Sequence, residues 1–242
     1  MNREYHKWYS PSLQRDMELL AFGHAGIAVL FFPARTGRFY DYENWGVINV
    51  IRDKIEQGHM QVFCVDSIDS ESFYNESCHP SKKIARYLQY EQYILKEVLP
   101  LMQNKNPGVT MISAGCSLGA FHAINFAFKH PRYFCKVVGM SGRYDLSQEV
   151  SHYCNLLPDY WNEYVYFNMP NQYIPNISDP GLLYFLRNLE IILVVGQEDP
   201  FLSSNSYLSQ ALHYKGIPNS LYIWQEEAHR PRYWRKMVGL YL

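Results

Sequence analysis

The chain has 242 residues, 48% of them hydrophobic, and its formal net charge is -1 at pH 7. This length is typical of one large α/β domain with a single core, and the near-neutral charge offers no basic footprint for nucleic acid. The polar start at residues 1–7 predicts no secretory signal, and no apolar run reaches the length of a membrane span. Five scattered cysteines, without a C-x-x-C pair, predict reduced thiols in a cytoplasmic protein.

The first strands are predicted from apolar patterning near the start of the chain. Residues 12–22 alternate imperfectly between apolar and polar side chains, which indicates a half-exposed strand. Residues 23–26 indicate a turn, and the continuous apolar run 27–32 indicates a buried strand. Two strands joined by so short a turn predict an antiparallel start to the sheet.

The loop at 33–38 directly follows the buried strand. In some α/β enzymes, a loop that follows an early central strand supplies one of the two backbone N–H groups that stabilise an oxyanion. Arg35 or Ala34 is the candidate donor here. A plain surface loop is an equal alternative for the segment.

A helix and a strand are predicted next, at 44–56 and 61–65, followed by an acidic loop. The loop carries Asp66, Asp69 and Glu71, which could bind a metal ion or a substrate. The same residue types also cap helices and form turns through their side chains. We favour capping and turn formation, because no histidine or further carboxylate cluster joins the loop.

The segment 109–120 organises the rest of the chain, and it follows a long amphipathic helix predicted at 81–99. It is interpreted as a buried strand, a sharp turn and a helix, and Gly-Cys-Ser-Leu-Gly at 115–119 matches the G-x-S-x-G nucleophile elbow. Such a turn exposes the hydroxyl of Ser117 above the sheet edge. It also directs the N–H of Leu118, at the helix N-terminus, toward a developing oxyanion.

The remainder alternates between predicted strands and helices. Apolar runs predict strands, and apolar residues at helical spacing predict helices; the strands are 133–140, 191–196 and 221–224, and the helices are 203–214 and 231–242. This alternation predicts an α/β fold whose mostly parallel sheet is covered by helices on both faces. The segment 147–186 is rich in Tyr, Asn and Pro with weak periodicity, and we interpret it as a cap-like excursion rather than a second domain.

Three candidate catalytic residues follow three different predicted strands, in the order Ser117, Asp199, His229. The carboxyl ends of parallel strands meet at one edge of a sheet, where active sites form. His229 could take the proton of Ser117 and return it to the leaving alcohol, and Asp199 could hold the imidazole tautomer. Glu198 and Asp145 are the competing candidates for the acidic residue.

The pattern resembles the Putative esterase family of α/β-hydrolases, which includes esterase D, enterochelin esterase and the antigen 85 acyltransferases. The segments that carry the resemblance span nearly the whole chain, and they are 9–17, 115–119, 196–199 and 229–234. Family members often have His-Gly or Asp-Gly after the early strand, where this chain has Pro33-Ala34.

The resemblance implies an α/β-hydrolase fold in a single domain over 1–242. It also implies that Ser117, Asp199 and His229 form a Ser-His-Asp triad, with the N–H groups of Leu118 and Arg35 as the oxyanion hole. Substrates across the family differ widely, so the resemblance does not name one.

The sequence therefore predicts a serine hydrolase that cleaves a carboxylic ester through an acyl-enzyme on Ser117, without a metal or organic cofactor. The alternatives are an acyltransferase with the same triad and a non-catalytic binding protein with a hydrolase fold. The predicted partner is a small-molecule ester, with neither nucleic acid nor membrane. The 21 tyrosines are compatible with a homodimer.

Overall fold

The computed structural model describes residues 1–108 and 110–242; Val109, the first residue of the predicted elbow segment, lies outside the described residues. The strands are β1 (Arg3–Ser10), β2 (Arg15–Phe22), β3 (Ile27–Phe32), β4 (Met60–Val65), β5 (Met111–Cys116), β6 (Phe134–Met140), β7 (Glu190–Gly196) and β8 (Ser220–Trp224). The helices are α1 (Asp41–Asn44), α2 (Val47–Val50), α3 (Arg52–Glu56), α4 (Pro80–Tyr93), α5 (Leu99–Lys105), α6 (Leu118–Lys129), α7 (Glu163–Tyr166), α8 (Pro170–Tyr173), α9 (Pro180–Arg187), α10 (Leu202–Tyr214) and α11 (Pro231–Tyr241).

These strands form one sheet in the order β1-β2-β4-β3-β5-β6-β7-β8. Strand β2 is antiparallel to both of its neighbours, β1 and β4. Every later pair along this order is parallel. The prediction of a mostly parallel sheet with antiparallel N-terminal strands is confirmed.

The two strands joined by the short turn at 23–26, β2 and β3, do not pair with each other. Strand β4 lies between β2 and β3, antiparallel to the first and parallel to the second. Both β2 and β3 are buried over most of their length, so their backbone groups need strand partners on both sides. The outer partner of β2 is the edge strand β1, which the sequence prediction missed because its side chains are mostly polar and only half-buried. Residues 11–14 form the turn between the two, so β2 begins later than predicted.

Alternating side chains of the central strands point to opposite faces and build two hydrophobic clusters. In β3, Leu30 and Phe32 belong to the cluster that packs against α4, α6 and α10. Val29 and Phe31 belong to the cluster that packs against α1–α3 and α11. Helices therefore cover both faces of the sheet, as predicted.

Two predicted helices differ from the structure. The predicted helix at 44–56 is divided into α1, α2 and α3, and Gly46, between α1 and α2, has a φ of 70° that interrupts regular helix. The predicted helix at 81–99 begins at Pro80 and continues through a π-helical turn at Ile94–Val98 into α5. Pro100 lies in the first turn of α5, directly after this wider turn.

The segment 147–186 contains α7, α8, a 3₁₀ turn at Ile174–Asn176 and most of α9. Its cap-like role stays a prediction. No helix within residues 1–108 and 110–242 combines the length and the apolar character of a membrane-spanning segment.

Candidate active site

The elbow lies at the end of β5, which pairs with β3 on one side and β6 on the other. Ser117 has φ 56° and ψ −120°, a strained conformation for a residue with a side chain, and α6 begins at the next residue. A Cβ at Gly115 would lie 2.1 Å from the carbonyl oxygen of Gly119, and a Cβ at Gly119 would lie 2.3 Å from that of Phe32. Only glycine fits at either position, which explains the spacing of the motif.

Ser117, His229 and Asp199 form a continuous hydrogen-bonded chain. Oγ of Ser117 lies 3.0 Å from Nε2 of His229, and Nδ1 of His229 lies 2.9 Å from Oδ2 of Asp199. The Asp199 side chain is fully buried and that of His229 is 10% exposed. With the Nδ1 proton donated to Asp199, Nε2 is left as an acceptor for the serine hydroxyl.

The loops after β7 and β8 interlock, and this contact aligns the histidine with the acid. A Cβ at Gly196 would lie 2.0 Å from the carbonyl oxygen of Glu227, so the two loops touch through their backbones. The N–H of Glu198 also donates to the carbonyl of Glu226 at 3.1 Å. Oδ1 of Asp199 accepts the N–H of Phe201 at 2.9 Å, which holds the carboxylate in place.

The competing acids do not contact His229. Asp145 accepts hydrogen bonds from Ser147 and from Nε2 of Gln172, so its carboxylate is engaged elsewhere. The side chain of Glu198 is exposed to solvent. Of the three candidate carboxylates, the structure brings only Asp199 to the histidine.

The loop after β3 and the start of α6 line the same cavity as Ser117, with Arg35 and Leu118 among the lining residues. The N–H of Gly37 donates to the carbonyl of Ala34 at 2.8 Å, which closes a tight turn around Arg35. The residues of both predicted oxyanion donors therefore line the cavity in front of the serine. Their role stays a prediction.

The acidic loop that carries Asp66, Asp69 and Glu71 is hydrogen-bonded to this turn. Oδ2 of Asp69 accepts the N–H of Thr36 at 2.8 Å, and Oδ1 lies 3.2 Å from Nε2 of the buried His122 on α6. The neighbouring acids pair with arginines: Asp66 with Arg38, and Glu71 with two further guanidinium groups. The described residues hold no group of three or more His, Cys, Asp or Glu side chains arranged to bind a metal ion.

Sequence reasoning missed Tyr42, which joins the elbow to β3. Its hydroxyl donates to the carbonyl of Phe32 at 2.7 Å and accepts the N–H of Cys116 at 3.0 Å. The ring is fully buried and stacks on Phe31 with the ring centroids 3.9 Å apart. Burial raises the pKa of Tyr42, so the hydroxyl keeps its proton for the bond to Phe32. Tyr42 is far from Cys116 in the sequence, and no local sequence pattern indicates that the two residues are in contact.

The cavity in front of Ser117 has a volume of about 270 Å³. Much of its wall is aromatic, formed by Trp45, Tyr74, Tyr153, Phe201 and Trp234. Phe201 and Trp234 pack edge-on against the His229 ring, with centroids 5.4 and 5.7 Å away. Two arginines, Arg35 and Arg143, complete the polar part of the wall. A site of this kind can bind a small ligand and shield the histidine from bulk water.

Comparison with known proteins finds one matching family and several solved structures with a similar fold. The family model described as Putative esterase matches residues 34–234. No curated protein matches the chain significantly by sequence.

Three solved structures illustrate the shared fold. A ferulic acid esterase aligns with a TM-score of 0.80 at 18% identity, covering 100% of this chain and 96% of that one. An S-formylglutathione hydrolase from Agrobacterium tumefaciens aligns with a TM-score of 0.73 at 15% identity, covering 98% and 91%. The fluorophosphonate-binding serine hydrolase F from Staphylococcus aureus aligns with a TM-score of 0.68 at 13% identity, covering 98% and 95%. The chain therefore has the α/β-hydrolase fold.

Proposed function

This chain belongs to the Putative esterase family and is a carboxylic-ester hydrolase, and we propose that Ser117 is its nucleophile in a Ser-His-Asp triad. The observation that carries the proposal is the hydrogen-bonded chain from Ser117 through His229 to the buried Asp199. A serine is a poor nucleophile at neutral pH unless an adjacent base accepts its proton. Nε2 of His229, 3.0 Å from Oγ, is at the right distance for that transfer.

Acylation begins when Oγ of Ser117 attacks the ester carbonyl carbon and its proton passes to Nε2 of His229. Asp199 stabilises the resulting imidazolium through the hydrogen bond at Nδ1 without itself taking the proton. The carbonyl oxygen becomes an oxyanion. The tetrahedral intermediate then collapses, the bond to the alcohol oxygen breaks, and the imidazolium returns the proton to the leaving alkoxide.

Deacylation repeats these steps with water in place of serine. His229 takes a proton from the water as it attacks the acyl carbon, and Ser117 leaves with that proton restored. The products are a carboxylic acid and the free enzyme. This sequence uses only groups of the chain and water, and it requires no metal ion or organic cofactor.

The N–H groups of Leu118 and Arg35 are the proposed donors to the oxyanion. Leu118 is the first residue of α6, so its N–H has no carbonyl partner within the helix and lies at the positive end of the helix dipole. Arg35 is held in its turn by the Asp69–Thr36 hydrogen bond. Each such donor contributes roughly 10²–10³-fold to turnover in enzymes of this chemistry.

Labelling with a fluorophosphonate probe, followed by peptide mapping, tests the proposal directly. The expected result is one adduct on Ser117 that is lost in Ser117→Ala and in His229→Ala. Ser203 is an exposed serine on α10, so Ser203→Ala is the matched control and should be labelled like wild type. A folded wild-type protein that takes up no probe, or His229→Ala that still labels fully, would contradict the triad.

Product analysis with an added alcohol separates hydrolysis from acyl transfer. We expect the free acid as the main product at every acceptor concentration. A new ester that replaces the acid as acceptor rises would instead indicate the acyltransferase.

The cytoplasmic location and the homodimer stay predictions. The described surface exposes several large aromatic side chains, among them Tyr214 at 86%, Trp161 at 67% and Tyr184 at 64%. Such residues are enriched at protein interfaces. Sedimentation equilibrium decides between monomer and dimer, and cell fractionation decides the location.

A further inference from the structure

Arg143 is a buried cation without a carboxylate partner. The residue is 4% exposed, and its guanidinium group donates only to backbone carbonyls. These belong to Asp145 at 3.2 Å, Leu146 at 3.5 Å, Cys154 at 2.9 Å and Gln148. Among the described residues, no carboxylate oxygen lies within 4.0 Å of it. Burial lowers the pKa of Arg143, and the charge of Asp145, whose carboxylate is more than 4.0 Å away, opposes that shift only in part. Without a direct ionic partner, the cation therefore carries a desolvation penalty.

One edge of the Arg143 guanidinium is free. The backbone bonds use Nε and Nη2, which leaves Nη1 without a protein partner among the described residues. Nη1 is also not among the fully buried atoms that lack a hydrogen bond, so solvent reaches it. Because Arg143 lines the cavity in front of Ser117, this edge is available to a ligand there.

Arg35 adds a second positive charge to the same cavity. Its guanidinium carbon lies 5.6 Å from the ring centroid of Tyr74, and no carboxylate lies within 4.0 Å of it among the described residues. Burial raises the pKa of both Tyr74 and Tyr153, and the charges of Arg35 and Arg143 each oppose that rise. Both guanidinium groups therefore act on the same two tyrosine hydroxyls.

The described lining of the cavity includes two arginines but no aspartate or glutamate. Two carboxylates near the cavity are engaged by other residues: Asp199 lies 2.9 Å from His229, and Asp145 accepts hydrogen bonds from Ser147 and Gln172. A surface of this composition attracts anions, and the planar guanidinium fork matches a carboxylate or phosphate group.

We propose that the ester substrate carries an anionic group, which Arg143 and Arg35 bind while Ser117 attacks the ester carbonyl. The proposal rests on the proposed function, because it assigns the substrate class of that site. The aromatic wall fits a planar or apolar body between the ester and the anion. The volume of about 270 Å³ restricts the substrate to a small one.

Matched substrate pairs test the charge preference. 4-Acetoxybenzoate and 4-acetoxybenzamide differ in charge on the alcohol side, and monomethyl succinate and methyl succinamate differ on the acyl side. 4-Acetoxyphenyl phosphate separates phosphate from carboxylate. With each rate corrected for hydrolysis by hydroxide, we expect kcat/KM to favour one anionic member by about 10- to 100-fold. The preference should fall as NaCl rises. Equal values for both members of both pairs, and no preference for the phosphate, would overturn the proposal.

Variants assign the preference to the two arginines. Arg143→Met and Arg35→Gln should each reduce the anionic-to-neutral ratio about 10-fold or more. Arg143→Lys keeps the positive charge but removes the planar guanidinium donors. It is measured in place of Arg143→Met if that variant does not fold. Arg132→Gln, which removes an exposed cation that lines a different cavity, should keep the wild-type ratio. A ratio that is unchanged in both Arg35→Gln and Arg143→Lys would contradict the assignment.

Binding to Ser117→Ala separates this inference from the proposed function. Equilibrium dialysis with the inactive variant should show tighter binding of 4-acetoxybenzoate or monomethyl succinate than of its neutral partner. That result supports the anion site even if no substrate turns over. If wild-type protein takes up no fluorophosphonate but the variant still binds the anionic ligand more tightly, only the assignment of Ser117 as nucleophile is contradicted. If Ser117 is labelled but the anionic and neutral ligands bind equally, only the anion site is contradicted.

Discussion

The carboxylate of Asp69 accepts the N–H of Thr36 at 2.8 Å, across 33 residues of sequence. Its other oxygen lies 3.2 Å from His122, on the helix that starts at the elbow. Thr36 itself has a φ of 51°, an unfavourable conformation that the bond to Asp69 helps to hold. Asp69 therefore fixes the loop that carries Arg35 relative to Ser117.

We expect Asp69→Ala to lower kcat by about 10-fold or more with a smaller change in KM, because it displaces the proposed oxyanion donor, whose contribution belongs mainly to the transition state. The rate of fluorophosphonate labelling should fall in parallel, and Asp69→Asn, which keeps one acceptor oxygen, should recover part of it. Glu71→Ala is the control from the same loop; it loses only its arginine partners. Equal kcat losses in the two alanine variants would indicate a merely structural role for Asp69.

Asp199→Asn should lower kcat by roughly 10⁴-fold with little loss of stability, because an amide favours the wrong histidine tautomer. Steady-state kinetics on a neutral ester, with circular dichroism to confirm folding, measures this effect. Asp145→Asn is the matched control, since Asp145 follows another strand but bonds Ser147 and Gln172. A severe kcat loss in Asp145→Asn, with Asp199→Asn active, would reverse the assignment of the acid.

Gly115→Ala should destabilise the protein by about 3 kcal/mol and abolish labelling of Ser117. The added Cβ would lie 2.1 Å from the carbonyl oxygen of Gly119, and backbone atoms at that distance must move. Gly181→Ala serves as the control, because its Cβ would lie 3.3 Å from one aspartate oxygen at the exposed start of α9. Urea denaturation compares the two. A Gly115→Ala protein as stable and as reactive as wild type would contradict the close packing of the elbow.

Tyr42→Phe should lower the free energy of unfolding by about 1–3 kcal/mol, because it leaves the buried N–H of Cys116 and carbonyl of Phe32 without their partner. Tyr93 provides a matched comparison: its hydroxyl is buried and has no hydrogen-bond partner among the described residues. Tyr93→Phe should therefore be neutral or stabilising. Identical losses in the two variants, measured by urea denaturation, would show that the Tyr42 bridge contributes nothing specific.

Glu91 makes stability depend on pH in the acid range. Burial raises the pKa of Glu91, but the hydrogen bonds and charges of His130 and Lys129 outweigh it, so the folded pKa lies below the usual 4.5. The stabilisation is fully present above the unfolded pKa and is lost as pH falls through the folded one. We expect Glu91→Gln to lower the free energy of unfolding by about 1–3 kcal/mol at pH 7. The difference in unfolding free energy between wild type and Glu91→Gln should shrink below about pH 4.5. A difference that stays the same in acid would contradict this role of Glu91.

The sequence by itself located most of the strands and proposed the candidate site residues whose signals are local. The apolar runs of β3 to β7 and the G-x-S-x-G spacing arise within a few residues, since a buried strand must be apolar and the elbow backbone leaves no room for a Cβ. The order Ser117, Asp199, His229 also follows from where strands end, because parallel strands present their carboxyl ends at one edge.

Only the tertiary structure decided which distant segments meet. Strand β4 lies between β2 and β3 because its backbone pairs with both. The pattern of apolar residues predicts where strands are, but not which strands pair. The bond between Ser117 and His229 spans 112 residues, and its 3.0 Å length depends on loops that interlock through glycine. Arg143 appeared in the sequence as an ordinary residue after a strand. Its burial, and the absence of any described carboxylate within 4.0 Å of it, are properties of its surroundings, which only the folded chain assembles.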